Sequence, residues 1–335
     1  MSGDRRNVPA VVEVSTPVRA PSLRSKLAIP AAVADVGDHA ARRFLEFLAA
    51  TIRTKTRGWP ITGPACSFFA WLEQHGINEL ADIEPIHVAA YVETLQASAA
   101  KPTVKQHLAA VRMLFDWLVV GQVLATNPAH AVRGPKDVVK RGKTPVLTAD
   151  QARALIDSID VSTVVGIRDR ALIGVMTFAL ARVGAVVPMR VEDYYPQGKR
   201  WWVRLHEKGG KRHEMPAHHT LEAYLDAYID AAGIRRDGKN PLFRSAAGRT
   251  GTLSSTVMNR VDAWRMVQRR AEDLGMKIRI GCHTFRATGI TAYLECGGTL
   301  ENAQEMAAHE SPHTTKLYDR TGDEITLDEV ERITI

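Results

Sequence analysis

The 335-residue sequence contains no run of eighteen apolar residues, which excludes a membrane-spanning helix. Its opening, MSGDRRNVPAVVEV, lacks the apolar core a secretory signal needs. Cysteine is scarce. Cys66, Cys282 and Cys296 show no paired spacing, which fits a reducing compartment and excludes a disulfide framework. Aromatic residues reach only 6%. What is present is ordinary globular material, with 45% hydrophobic and 24% charged residues, so neither a largely disordered chain nor a fibrous repeat is expected. A chain of this length favours two domains, each with its own core.

Charge leans basic: 44 Lys and Arg oppose 37 Asp and Glu, a net of +7. That fits a polyanionic partner without requiring one. Its distribution says more. Residues 1–143 carry +6, residues 144–318 carry +5, and residues 319–335 carry −4.

Residues 1–34 hold Pro9, Pro17, Pro21 and Pro30 with no sustained period, and read as a flexible basic arm. Helical periodicity then begins. Phe44, Leu45, Leu48 and Ile52 form a first stripe, Ala65, Phe68, Phe69 and Leu72 a second, and Ile86, Ala89, Ala90 and Val92 a third. Val104, Leu108, Val111, Phe115 and Leu118 form a fourth. Short Gly/Pro breaks between them predict a four-helix bundle over 35–133, closed at Asn127-Pro128. A basic linker follows over 134–146. Arg133, Lys136, Lys140, Arg141 and Lys143 are placed to run along a phosphate backbone.

A second domain is predicted over 147–318. Thr148-Ala-Asp-Gln151 is a capping box, and a helix is expected over 168–180. Trp201–Leu205, a Lys208-Gly-Gly-Lys211 turn and Arg212–Met215 form a hairpin. Helical pattern returns near Leu221 and over Thr256–Leu274, and three further helical pieces fall between Thr284 and Tyr318. The class expected is mainly α with a small antiparallel β-sheet (α+β). Tyr224 and Tyr228 share a stripe with Leu221, Leu225 and Ile229, which makes them packing residues. His213, His218 and His219, and the pair His309/His313, have no acidic or cysteine partner at ligand spacing. No metal and no cofactor are therefore expected. Cys282 lacks any cysteine-nucleophile pattern and reads as a buried thiol.

Three His-x-x-Arg pairs occur in the chain, and two tyrosines stand nine residues after a histidine. Only His283-x-x-Arg286 followed by His309 and Tyr318 combines both within forty residues. With its surroundings this set resembles the tyrosine recombinase (phage integrase) family. That family's pattern has an Arg in G-L-R-x-S-E-L-x-x-L-x-x-x-D, a hairpin Lys in G-K-G-x-K-x-R, then H-x-x-R, L-G-H, and a Tyr after a Thr-Thr pair. The corresponding stretches here are Leu180-Ala-Arg182-Val-Gly-Ala185-Val-Val-Pro-Met-Arg190-Val-Glu-Asp193, then Glu207-Lys208-Gly-Gly-Lys211-Arg212. They are followed by His283-Thr-Phe-Arg286, Ala-Ala-His309, and Thr314-Thr315-Lys-Leu-Tyr318. The likeness spans nearly all of 40–320, with Phe69-Ala-Trp-Leu72 and Asn127-Pro128 matching pieces of the family's core-binding domain. Two departures stand out. Ala185 replaces a common Glu, at the expense of a supporting contact, and Ala307-Ala308 replaces Leu-Gly before His309.

The resemblance implies a site-specific DNA recombinase or integrase with an N-terminal helical core-binding domain and a C-terminal catalytic domain clamped round duplex DNA. Tyr318 would attack a DNA phosphate, giving a 3′-phosphotyrosyl link and a free 5′ hydroxyl without ATP or metal. The chemistry of the side chains agrees. Guanidinium groups of Arg182 and Arg286 suit bidentate grip on non-bridging oxygens. A phenol with pKa of about 10 needs a base or nearby cations, and His283 is a candidate for that role. His309 would donate to a phosphate oxygen, and Lys208 would protonate the leaving 5′ oxygen. Lys211 and Arg212 are further candidate DNA contacts.

The expected partners are double-stranded recombination sites and, on synapsed DNA, a homotetramer passing through a Holliday junction. The free protein is expected to be a monomer or weak oligomer, without membrane contact, in the cytoplasm and on the nucleoid when DNA-bound. The acidic tail over 319–335, with Ile325, Leu327, Val330 and Ile333 on one face, is expected to contact a neighbouring protomer. A type IB topoisomerase-like relaxing enzyme and a catalytically inactive architectural DNA-binding protein are the alternatives.

Overall fold

A computed structural model of the chain describes residues 29–52, 59–136, 142–207, 210–248, 250–319 and 331. Most of the expected arm, Lys140, Arg141, Lys208 and nearly all of the tail lie outside those residues. The chain divides into two compact units, Met1–Val138 and Val139–Ile335.

The first unit is helical: α1 (Ala31–Ala34), α2 (Asp38–Ile52), α3 (Trp59–Gln74), α4 (Pro85–Ser98) and α5 (Lys101–Val120). Prolines open α4 and α5 in their first turn, where a missing N–H leaves no bond unmade. The core is aromatic at its centre. Phe68 meets Tyr91 edge-on at 5.1 Å and Phe115 at 6.1 Å. The second and fourth expected stripes are buried throughout, and the other two need correction. In α2, Leu45 is 44% exposed while Phe47 is buried beside Phe44 and Leu48. In α4, Ile86 is 66% exposed, and Val88, Tyr91 and Val92 turn inward instead. Ile86, Ala89 and Ala90 fall off the stripe that steps from Val88 to Tyr91, Val92 and Leu95 by threes and fours. Asn127 closes the unit by accepting from the Ala129 amide at 2.8 Å and donating to Asp116 at 2.7 Å.

The second unit is built around α7 (Val164–Phe178), buried over most of its length and preceded by α6 (Ala149–Asp157). Thr148 and Gln151 exchange the expected capping bonds at the start of α6. A short helix, α8 (Val183–Val186), follows and leads to an antiparallel sheet of β1 (Tyr194–Gln197), β2 (Arg200–His206) and β3 (Arg212–Pro216), in the order β1-β2-β3. The hairpin β2–β3 was expected; β1 was not, because Pro196 masks the strand pattern and is tolerated only at the sheet edge.

Next come α9 (His219–Ala232) and a two-stranded sheet of β4 (Arg244–Ala246) and β5 (Leu253–Val257). The chain then runs through α10 (Arg260–Asp273), α11 (Cys282–Glu295), α12 (Leu300–Met306) and α13 (Pro312–Lys316). The helix expected over Thr256–Leu274 therefore begins late. Ser254 and Thr256 extend the chain into β5, and Asn259 starts α10 by accepting from the Val261 amide at 2.9 Å. No helix among the described residues is long and apolar enough to cross a membrane.

Two features of α7 fix the rest. Asp169, fully buried, accepts from Arg168 at 2.6 Å and from Arg270 at 2.8 Å, and Arg168 also donates to the Arg244 carbonyl at 2.8 Å. These bonds tie α7 to α10 and β4. On its other side α7 meets α11 at Gly289, where an added Cβ would lie 2.2 Å from the Thr177 carbonyl oxygen. Only glycine permits that approach. It sets His283 and Arg286, two turns and one turn earlier on α11, against the chain leaving α7 at Leu180–Arg182.

Candidate active site

Arg286 is completely buried. Its Nη1 donates to the Leu180 carbonyl and its Nη2 to the Ala307 carbonyl at 2.5 Å. Both acceptors belong to distorted backbone, for Leu180 has φ +49° and Ala308, just after Ala307, has φ +47°. Side chains other than glycine rarely adopt this left-handed region. Among the described residues, the buried Nε of Arg286 meets no hydrogen-bond acceptor. Ala308 stands where the family pattern has glycine. Ala308→Gly is accordingly expected to stabilise the fold by roughly 0.5–1 kcal/mol in chemical denaturation, strain relief outweighing glycine's entropy cost. Unchanged or lower stability would contradict this.

Arg182, at the start of α8 and one-third exposed, donates through Nη1 to Glu207 at 2.7 Å. Arg286 Nη1 lies 4.0 Å from the other oxygen of that carboxylate. Glu207 sits at the base of the β2–β3 hairpin, where its amide bonds the Lys211 carbonyl at 2.8 Å. Arg182, Glu207, Lys211, His309, Glu310 and Thr314 are among the residues lining a cleft of about 190 Å³.

Tyr318 follows α13. Its ring packs with Leu180, Ala287, Ile290 and Ala307 in an apolar cluster separate from the unit's main core. It lies nearly parallel to His309, with centroids 5.7 Å apart. The backbone is held on both sides of the ring. Thr291 on α11 donates to the Tyr318 carbonyl at 2.8 Å, and the Gly142 amide donates to the Leu317 carbonyl at 2.9 Å. A Cβ at Gly142 would stand 2.7 Å from that oxygen. The phenol oxygen of Tyr318 is 2.5 Å from His283 Nε2. His309 Nδ1 is 2.9 Å from the hydroxyl of fully buried Thr315.

Burial raises the Tyr318 pKa, against the pull of Arg286 and Arg182. The phenol is therefore protonated in the free protein and needs a base. His283 is lowered by burial and by Arg286 and Arg182, so it is neutral at pH 7 and able to accept that proton. Burial together with the charges of Arg286, Arg182 and His283 pushes His309 down to about 3.

This last shift has a consequence for stability. An unfolded imidazole titrates near 6.5. Between that value and about 3 the unfolded chain binds a proton that folded His309 refuses. Its contribution to stability is complete above pH 6.5 and is lost as pH falls, at about 1.4 kcal/mol per pH unit. Urea unfolding at pH 7 and pH 5 should show a loss of roughly 2 kcal/mol from this group. The loss should be absent in His309→Gln; equal pH dependence in both proteins would refute it.

Of the expected site residues, Arg182, His283, Arg286, His309 and Tyr318 come together; Lys208 lies outside the described residues. Arg133, Lys136, Lys143 and Lys211 are exposed. Arg212 is held by Glu214 at 2.6 Å, a carboxylate that also binds Arg204. His213 bonds the Met306 carbonyl, His218 stacks on Phe178, and Tyr228 donates to the Leu242 carbonyl. Cys282 is buried, with its thiol pKa raised to about 11. Sequence reasoning gave no role to Glu207, Thr291 or Thr315. Glu207, next to the hairpin lysine, and Thr315, in the Thr-Thr pair before Tyr318, carried a usable signal.

Comparison with known proteins places these features. The phage integrase family model matches residues 145–324, and the model of the phage integrase N-terminal SAM-like domain matches residues 66–121. Tyrosine recombinase XerC of Escherichia coli O127:H6 is 28% identical over 211 residues, which are 63% of this chain and 67% of that protein. Among solved structures, XerH site-specific recombinase bound to palindromic difH substrate, a post-cleavage complex, aligns with TM-score 0.64 and 17% identity. That alignment covers 82% of this chain and 77% of the other. A lambda integrase tetramer bound to a Holliday junction aligns with TM-score 0.61 and 17% identity, covering 93% of this chain and 86% of the other. At such identities the two structures share the fold.

Proposed function

The chain belongs to the phage integrase family of tyrosine recombinases, and from that premise we infer that it cuts and rejoins DNA strands at specific sites with Tyr318 as nucleophile. The observation that carries this reading is the 2.5 Å contact between the Tyr318 hydroxyl and a neutral His283, next to two guanidinium groups. His283 takes the phenol proton as the oxygen attacks phosphorus. Arg182 and Arg286 bind the non-bridging oxygens, on which charge grows in the transition state. The unpartnered Nε of Arg286 has a donor to offer one of them. His309 contributes a further hydrogen bond, its Nδ1 being engaged with Thr315. Lys208 protonates the departing 5′ oxygen. The phosphotyrosyl ester conserves the bond energy, so reversal of the same steps with a new 5′ hydroxyl reseals the strand.

In this reading the helical core-binding domain (35–133) and the linker help hold duplex DNA. Four protomers synapse two sites, and the tail beyond residue 318 makes a protomer–protomer contact. A solved relative that is a tetramer on a Holliday junction supports that assembly.

The test uses nicked duplexes whose sequences have been enriched from a random pool on immobilised protein. Incubation should yield a denaturant-resistant adduct that retains the strand ending in a 3′ phosphate. The released strand should carry a 5′ hydroxyl that polynucleotide kinase can phosphorylate. No adduct, or a 5′ linkage, would overturn the assignment.

A further inference from the structure

We propose that Glu207 is a positioning residue that holds Arg182 and Arg286 at the separation needed to grip one phosphate. The inference rests on the reading of the site given above. Two like charges share this site: Arg286 is wholly buried and Arg182 is one-third exposed. Left alone they repel, and the more exposed one turns toward water. Glu207 prevents this by bonding Arg182 at 2.7 Å with one oxygen while the other faces Arg286 at 4.0 Å.

The carboxylate is itself only 4% exposed. Burial at that level is tolerable for an ionised group because it has cations to face. Arg182 engages it through Nη1 alone, which leaves the rest of that guanidinium for the cleft lined by His309. Arg286 is anchored independently by two carbonyls, so Glu207 acts mainly on Arg182, setting its distance from a fixed partner.

The sequence needs such a group from this direction. Ala185, three residues after Arg182, is buried and apolar, and it stands where the family pattern carries a carboxylate. Here the negative charge arrives instead from the hairpin, one residue before Lys208 in the chain. With Glu207 in place the two arginines present a net single positive charge, matched to the single negative charge of a phosphodiester. A neutral residue there leaves an excess cation free to swing away.

The experiment measures DNA affinity and single-turnover cleavage separately, on the enriched nicked duplexes. Glu207→Gln should bind within about threefold of wild type, since the phosphate backbone supplies most of the affinity, yet cleave about 10²-fold more slowly. Glu207→Ala should be equally slow, and formate should restore part of its rate by placing a carboxylate between the arginines. Chloride at equal ionic strength should not. Formate rescue is a readout that a merely structural role would not produce. A Glu207→Gln protein cleaving at the wild-type rate, a loss of cleavage matched by an equal loss of affinity, or Glu207→Ala indifferent to formate would each overturn the proposal. If wild type itself formed no adduct, the reading of the site would fail first; a normal wild-type adduct with unaltered variants sinks only the role of Glu207.

Discussion

Tyr318→Phe is expected to remove the covalent protein–DNA adduct altogether, a loss of more than about 10⁴-fold in cleavage, while DNA binding persists. The substitution deletes one oxygen and little else. The ring keeps its place against Leu180, Ala287 and Ile290 and its parallel contact with His309. The bond from Thr291 ends on the Tyr318 backbone carbonyl and is untouched. His283 and Arg286 both lose the phenol oxygen, but the His283 side chain reaches solvent and Arg286 keeps its two carbonyls, so the stability cost is about 1–2 kcal/mol. A denaturing gel on nicked duplex separates the outcomes. An adduct that survives in Tyr318→Phe would move the nucleophile elsewhere.

Arg286→Lys should lower single-turnover cleavage by about 10³-fold or more, and this conservative-looking exchange is the more instructive of the arginine variants. The guanidinium serves several directions at once. It holds the Leu180 and Ala307 carbonyls, faces Glu207, and keeps Nε free. An ammonium on a flexible stem has three donors but no planar fork. It cannot satisfy two carbonyls on opposite sides and still present an N–H to a phosphate oxygen in a fixed plane. Charge is conserved in the exchange, so DNA affinity should fall far less than the rate. Cleavage within tenfold of wild type would mean that charge alone, rather than fork geometry, is what the site uses.

Much of this site was legible because its spacing follows helix geometry. His283 and Arg286 lie three apart on one helix, and residue types matched to phosphoryl chemistry stood in order along the chain. Glu207 was less visible. A glutamate at the base of a hairpin usually faces water, and only the packing of the hairpin against the Arg182 segment turns it inward. Thr291 was invisible, and Thr315 showed only as half of a Thr-Thr pair, for a related reason: a hydroxyl's role depends on burial and aim, which periodicity does not encode. The errors in the first unit have the same origin. Leu45 and Ile86 are as apolar as their buried neighbours, and their exposure reflects which face the surrounding helices leave uncovered. At Thr256–Val257 the pairing of β5 with β4, a non-local event, outweighed the helical pattern that begins a few residues later.

The bond between Gly142 and Leu317 joins positions near opposite ends of the second unit in sequence. In polymer terms the unit is one large loop, and this hydrogen bond is its clasp. Undoing the clasp disturbs no part of the main core. The segment next to it is short, the five-residue α13 and the residues through Tyr318, and is held further by Thr315, Thr291, packing on α12 and the burial of one aromatic ring. The phenol proposed as nucleophile thus stands on a short segment late in the unit, tied back to the unit's first described residues by a backbone hydrogen bond.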